Sequence, residues 1–165
     1  MSLGDKGATA ALRAMAHPIR LRILSLLTGA PMTAAEVARE LDLTHANASY
    51  HLRTLLAAGL IVPAGEERIR GGIAKRYRHD PDRERHGKPT GAESRALYLA
   101  TANELIRRTA LAEWSGKKLM TDAELWVDPE VWLEIHDRIA EASKDLHKAA
   151  RAPRTPGTIR TSRAR

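Results

Sequence analysis

A mainly helical fold carrying one small β-hairpin is predicted for these 165 residues by three observations. Apolar residues recur at helical spacing in several separate stretches. Two helix-start signals, at Thr33 and Thr44, lie so close together that two short helices must be joined by a tight turn. Gly71-Gly72 separates two runs of strand character, as the tip of a hairpin does.

The first helix begins over Thr9 to Ala16 and carries Leu12 and Met15. Pro18 then opens the next one, at a position where its missing N–H does no harm. Ile19, Ile23, Leu24 and Leu27 give that helix an apolar face, and Gly29-Ala30-Pro31 ends it. Arg20 and Arg22 are expected to face solvent. Thr33-Ala34-Ala35-Glu36 is a capping box opening a helix through Val37, Ala38 and Leu41. After the turn Asp42-Leu43, Thr44 is the N-cap of the following helix, and Gly59 fits the position just past its end.

Within that helix Ala48, Leu52, Leu55 and Leu56 form an apolar stripe. At ~100° per residue, Ala46, Ser49, Tyr50 and Arg53 lie about a quarter-turn to a half-turn away. A short helix with small, hydrogen-bonding and cationic side chains on that face can enter a major groove, where base edges offer donors and acceptors. Two such helices joined tightly make a helix-turn-helix with the second as reader. Spacing alone also allows an ordinary helical hairpin inside a bundle.

Leu60-Ile61-Val62 reads as a short strand, and Glu66 to Arg70 and Ile73 to His79 as the arms of the hairpin. From Arg68 to Arg78 there are five cations, Arg68, Arg70, Lys75, Arg76 and Arg78, and no acid. A protruding hairpin of that charge suits a DNA backbone or minor groove and is the wing of a winged helix. His79 to Gly91 reads as a loop, Ala92 to Trp114 as a long helix and Ser115 to Thr121 as its break. Ala123 to Val127 is read as a short strand. Asp128-Pro129 then starts a last helix carrying Val131, Trp132, Ile135, Ile139, Ala142, Leu146 and Ala149. Arg151 to Arg165 is basic and almost devoid of apolar residues, so it builds no core of its own.

His17-Pro18-Ile19-Arg20-Leu21-Arg22-Ile23-Leu24, Thr33-Ala34-Ala35-Glu36-Val37-Ala38, and Ser49-Tyr50-His51-Leu52-Arg53 through Ala58-Gly59-Leu60-Ile61 resemble the ArsR-type winged helix-turn-helix transcription regulators. The resemblance implies a DNA-binding unit over 9–80 and C-terminal helices over 92–150 that dimerise or regulate. Residues 151–165 remain as a basic flexible tail. It also implies a homodimeric repressor, with two reading helices about one DNA turn apart on an inverted repeat. The two apolar stripes of the C-terminal helices could instead cover each other within one chain.

Family repressors are commonly released by an effector, often a metal. Thr33 to Leu41 contains no Cys, so the thiolate form of sensing is excluded. Glu134, His136 and His147 resemble a second, carboxylate–histidine site on the C-terminal helix. The two histidines lie ~16 Å apart along a helix, however, so a second subunit would have to complete the site. Ala150 stands where the family's last ligand is expected. No metal and no cofactor is expected, and two surface histidines are the better reading. Trp126 and Trp132 are read as core, with a small apolar effector at a dimer seam left open.

Composition narrows the rest. Without Cys there is no disulfide or cysteine nucleophile, and no apolar run approaches the ~20 residues of a membrane span. There is no secretory pattern, so a cytoplasmic protein is expected. No Ser/His/Asp spacing, phosphate-cradling glycine loop or enclosed carboxylate pair indicates an enzyme. Of the net charge of +7, five units come from Arg151, Arg154, Arg160, Arg163 and Arg165, while 121–145 is acidic and unsuited to phosphates. The expected partner is double-stranded DNA. It is met by Thr44, His45, Asn47, Ser49, Tyr50 and Arg53 of the reading helix and by the five wing cations. The competing reading is a winged-helix module that holds a protein partner and has lost DNA binding.

Overall fold

The computed structural model describes residues 10–79, 91–111 and 125–158. Residues 10–15 are helical (α1) and run into α2, Pro18–Gly29. A two-residue strand β1, Met32–Thr33, precedes α3, Ala34–Leu41, and α4, His45–Ala57. The strands β2, Ile61–Ile69, and β3, Gly72–His79, form the hairpin. Two longer helices follow, α5 over Gly91–Thr109 and α6 over Pro129–Lys148. The sheet is antiparallel in the order β1-β3-β2. This is a winged helix-turn-helix followed by C-terminal helices.

Local chemistry sets the helix ends. Thr33 donates its N–H to Glu36 Oε2 at 2.7 Å and its Oγ1 accepts from the Glu36 N–H at 3.2 Å, completing the capping box. Asp42 turns the chain with a left-handed backbone, φ 54°. Thr44 Oγ1 then accepts from the Asn47 N–H at 3.2 Å and starts α4 at once. At the other end Gly59, φ 73°, donates to the Leu56 carbonyl while Leu60 donates to that of Leu55. This paired closure needs a left-handed residue at Gly59, where a side chain would be strained.

Ile23, Leu27, Val37, Leu55, Leu60 and Ile61 are fully buried and join α2, α3, α4 and β2 in one core. Each such side chain contributes about 1.5–3 kcal/mol of apolar burial. Met32 and Tyr77 extend the core to the sheet, where they are register partners.

Several expectations are corrected here. Arg20 is half-buried: its guanidinium donates to the Ala14 carbonyl and, at 3.1 Å, to that of Arg13, closing the end of α1. Arg22 is also half-buried. β1 had no sequence signal, since two residues carry no periodicity. β2 is continuous, with a bulge between Pro63 and Glu66 where Gly65 takes φ 119°. Leu56, read as part of the α4 stripe, lies at its margin and is 36% exposed. Residues 125–127 form no strand. Asp128 occupies the N-cap of α6 with Pro129 after it, but its side chain makes no capping hydrogen bond. The long helix ends at Thr109. The expected loop at 80–90, the break at 115–121 and residues 123–124 lie outside the described residues.

α5 contacts α2, and its buried residues are Ala100 and Glu104. Burial opposes the Glu104 charge, but hydrogen bonds from Arg107 (2.6 and 2.8 Å) and Arg108 (3.0 Å) prevail and hold its carboxyl below the usual range. α6 buries none of its residues within the chain, so Trp132, read as core, is exposed, and so is Trp126 just before the helix. Residues after it return over the helix-turn-helix: the Arg151 carbonyl lies where a side chain at Gly29 would project, and Arg154 pairs with Glu40 of α3 at 3.4 Å.

Candidate nucleic-acid interface

Burying Ala48, His51, Leu52 and Leu55 turns the opposite face of α4 outward. Thr44, His45, Ala46, Asn47, Tyr50 and Arg53 are exposed and Ser49 is half-buried. The face is therefore continuous from the helix N-terminus to its middle. His45 and Asn47 stand in the first turn, where the unpaired N–H groups carry the positive end of the helix dipole. Thr44 has its hydroxyl engaged in capping, so its part in the face is mainly to hold that first turn. Tyr50, 54% exposed, has its phenol accessible, and Arg53 follows one turn below.

His51 was not among the expected residues, yet it is only 5% exposed. At ~100° per residue it falls beside Leu55, so the buried arc is centred slightly away from Leu56. Its Nδ1 is buried without a hydrogen-bond partner among the described residues, and its ring lies against those of His17 and Tyr50. Burial, then the proximity of His17 and Arg20, lower its pKa below the usual histidine value. The neutral imidazole thus joins the reading helix to the start of α2.

The wing cations separate into two groups. Arg76 faces inward along the hairpin base: it ion-pairs with Glu67, donates to the Pro31 carbonyl at 2.6 Å and lies 3.4 Å from Glu36. It therefore fixes the wing to the N-terminus of α3. Arg68, Arg70 and Lys75 are exposed on the distal hairpin, and none is ion-paired among the described residues. Arg78 is exposed as well, nearer the base. The turn at the tip is Arg70-Gly71, one residue earlier than the expected Gly71-Gly72: Gly71 takes φ 98°, while Gly72, φ 150°, already opens β3 opposite Ile69.

Among the described residues no three His, Asp or Glu side chains converge on one point. On α6, His136 Nδ1 lies 3.2 Å from Asp137 and His147 Nδ1 lies 2.6 Å from the Ser143 carbonyl. No described helix is long and apolar enough to cross a membrane.

No curated protein matches the chain significantly. Residues 15–63, from the end of α1 to the start of β2, match a family described as a helix-turn-helix domain. The tight α3–α4 pair, the exposed face of α4 and this similarity together make residues 15–63 a helix-turn-helix unit, of the kind that DNA-binding regulators carry.

Proposed function

We propose that the protein is a sequence-specific DNA-binding transcription regulator, a homodimeric repressor of ArsR type that reads an inverted repeat. The observation that carries this reading is the polar, cationic face of α4, held outward by its buried stripe beside a cationic hairpin. His45, Asn47, Ser49, Tyr50 and Arg53 would meet base edges and flanking phosphates, while Arg68, Arg70, Lys75 and Arg78 would meet the backbone.

Dimerisation is supported by apolar surface that this chain leaves uncovered. Val131, Trp132, Ile135, Ile139 and Leu146 on α6 are exposed, as are Tyr98, Leu99, Leu105 and Ile106 on α5. A second copy covering these faces would set two reading helices about a twofold axis. An open surface depression at the start of α6, bordered by Trp126, Val127, Asp128 and Val131, is where a small apolar effector would sit once a second copy covered it.

Selection from a random duplex pool at physiological salt tests the reading. Enrichment of an inverted repeat with half-sites about one helical turn apart is expected. A pool that stays random would overturn it and leave a protein-binding winged helix.

A further inference from the structure

Residues 65–73 of the wing are exposed without exception. β1 pairs with β3 only at Tyr77 and Arg76, so from Glu66–Lys75 to Ile69–Gly72 the wing is a bare two-stranded ribbon. At its end Ile69 is 49% and Ile73 67% exposed.

Their register matters. Ile69 stands opposite Gly72, and Ile73 stands opposite Arg68. Side chains of directly opposed residues share a face, and alternate residues along a strand share a face. Ile69 and Ile73 therefore lie on opposite faces of the ribbon, and neither has an apolar cross-strand partner. Two β-branched residues that stabilised the hairpin would face each other. Here one stands on each side of a tip that also carries Arg68, Arg70 and Lys75 without an ion-pair partner among the described residues.

We propose that the wing tip is a two-sided apolar wedge that enters and opens the minor groove of duplex DNA. This rests on the DNA-binding reading above. Ile69 and Ile73 press toward the two strands and partly unstack the base step between them, and the three cations meet the phosphates along the rims. Charge complementarity selects this occupant: from Arg68 to Lys75 the isoleucines are interleaved with cations and no acid, which suits a groove bordered by anions. A B-form minor groove is ~6 Å wide, whereas a ribbon with side chains on both faces is about 10 Å thick. The tip thus fits only where the groove widens, and apolar wedges that part a minor groove bend the duplex toward the major groove. Flexible pyrimidine–purine steps under the wing are then favoured without any base contact.

The test uses the duplex enriched by the wild-type chain, with 2-aminopurine at the step under the wing and a fluorescent pair at its ends. Wild type, Ile69→Ser, Ile73→Ser, their double variant and Arg70→Ala are compared at saturation. Wild type is expected to raise 2-aminopurine fluorescence and shorten the end-to-end distance. The double serine variant is expected to keep its fold and its enriched half-sites but lose both signals. Arg70→Ala is expected to weaken binding in a salt-dependent way and keep both signals once bound. Sequence-specific binding with both signals unchanged in the double variant, or absent in wild type, overturns the wedge alone. Absence of any enriched duplex overturns the DNA-binding reading and the wedge with it.

Discussion

The rings of His17 and His51 lie 4.9 Å apart, joining the N-cap of α2 to the buried face of α4. His17 Nδ1 accepts the Ile19 N–H at 3.2 Å, so the neutral ring holds the start of α2. Burial and the nearby Arg20 lower the His17 pKa, and burial, His17 and Arg20 lower that of His51. Tyr50 is the other titratable group beside this pair.

The sign of the pH effect follows. Between the model-peptide value of 6.5 and the lower folded values, the unfolded chain binds more protons than the folded one. The stability contributed by the neutral pair is complete above that window and is lost as pH falls through it. Urea midpoints should therefore decline from about pH 7 to about pH 5, and His51→Leu should decline less steeply. Equal slopes in the two proteins would contradict a coupled neutral pair.

Arg76 and Lys75 are neighbours in sequence with different expected roles. Arg76→Ala breaks the link between wing, Pro31 and Glu36, and should cost about 1 kcal/mol of stability with faster amide exchange in β1 and β3. Lys75→Ala should leave the unfolding midpoint unchanged and lower the salt slope of DNA binding by about one unit. Unfolding and salt titrations on both variants check this. A purely salt-slope effect for Arg76→Ala would place it among the phosphate contacts.

Gly29 ends α2 directly under the Arg151 carbonyl, so even a methyl group there collides with the returning C-terminal segment. Gly29→Ala should displace residues 151–158 and break the Arg154–Glu40 pair, speeding limited tryptic cleavage after Arg151 and Arg154. Because alanine favours the helical backbone, by roughly 0.5–1 kcal/mol over glycine, α2 itself should not be weakened. Cleavage at the wild-type rate would show that the contact does not hold in solution.

How much of this was legible in the sequence depended on distance along the chain. Thr33 with Glu36, Thr44 with Asn47, and Gly59 act within a few residues, and their signals were readable; the glycine pair gave the hairpin but placed its turn one residue late, since Gly72 pairs with Ile69. The exposed face of α4 followed from its apolar spacing, with an error of one position that exchanged His51 for Leu56. Arg76 could not be separated from the other wing cations, because its anchor, the Pro31 carbonyl, lies 45 residues away. Arg20, Glu104 and the return of Arg151 to Gly29 likewise depend on helices meeting in space, which no local pattern reports.

The uncovered faces of α5 and α6 predict an oligomer. Ile135→Asp with Ile139→Asp places two charges in the proposed seam and should convert a dimer to a monomer in sedimentation, with the helix-turn-helix still folded. Sedimentation unchanged by the substitutions would move the interface elsewhere.

The most direct measurement is the ratio of affinity for the enriched duplex to that for random duplex. It is measured for wild type and for His45→Ala/Tyr50→Ala/Arg53→Ala after circular dichroism shows both folded. These residues lie on the exposed face of α4, and each well-formed base contact contributes ~1–3 kcal/mol of discrimination. The ratio should collapse by at least about tenfold in the variant while affinity for random duplex falls much less. A proportionate loss on both duplexes, leaving the ratio intact, would contradict sequence reading by α4.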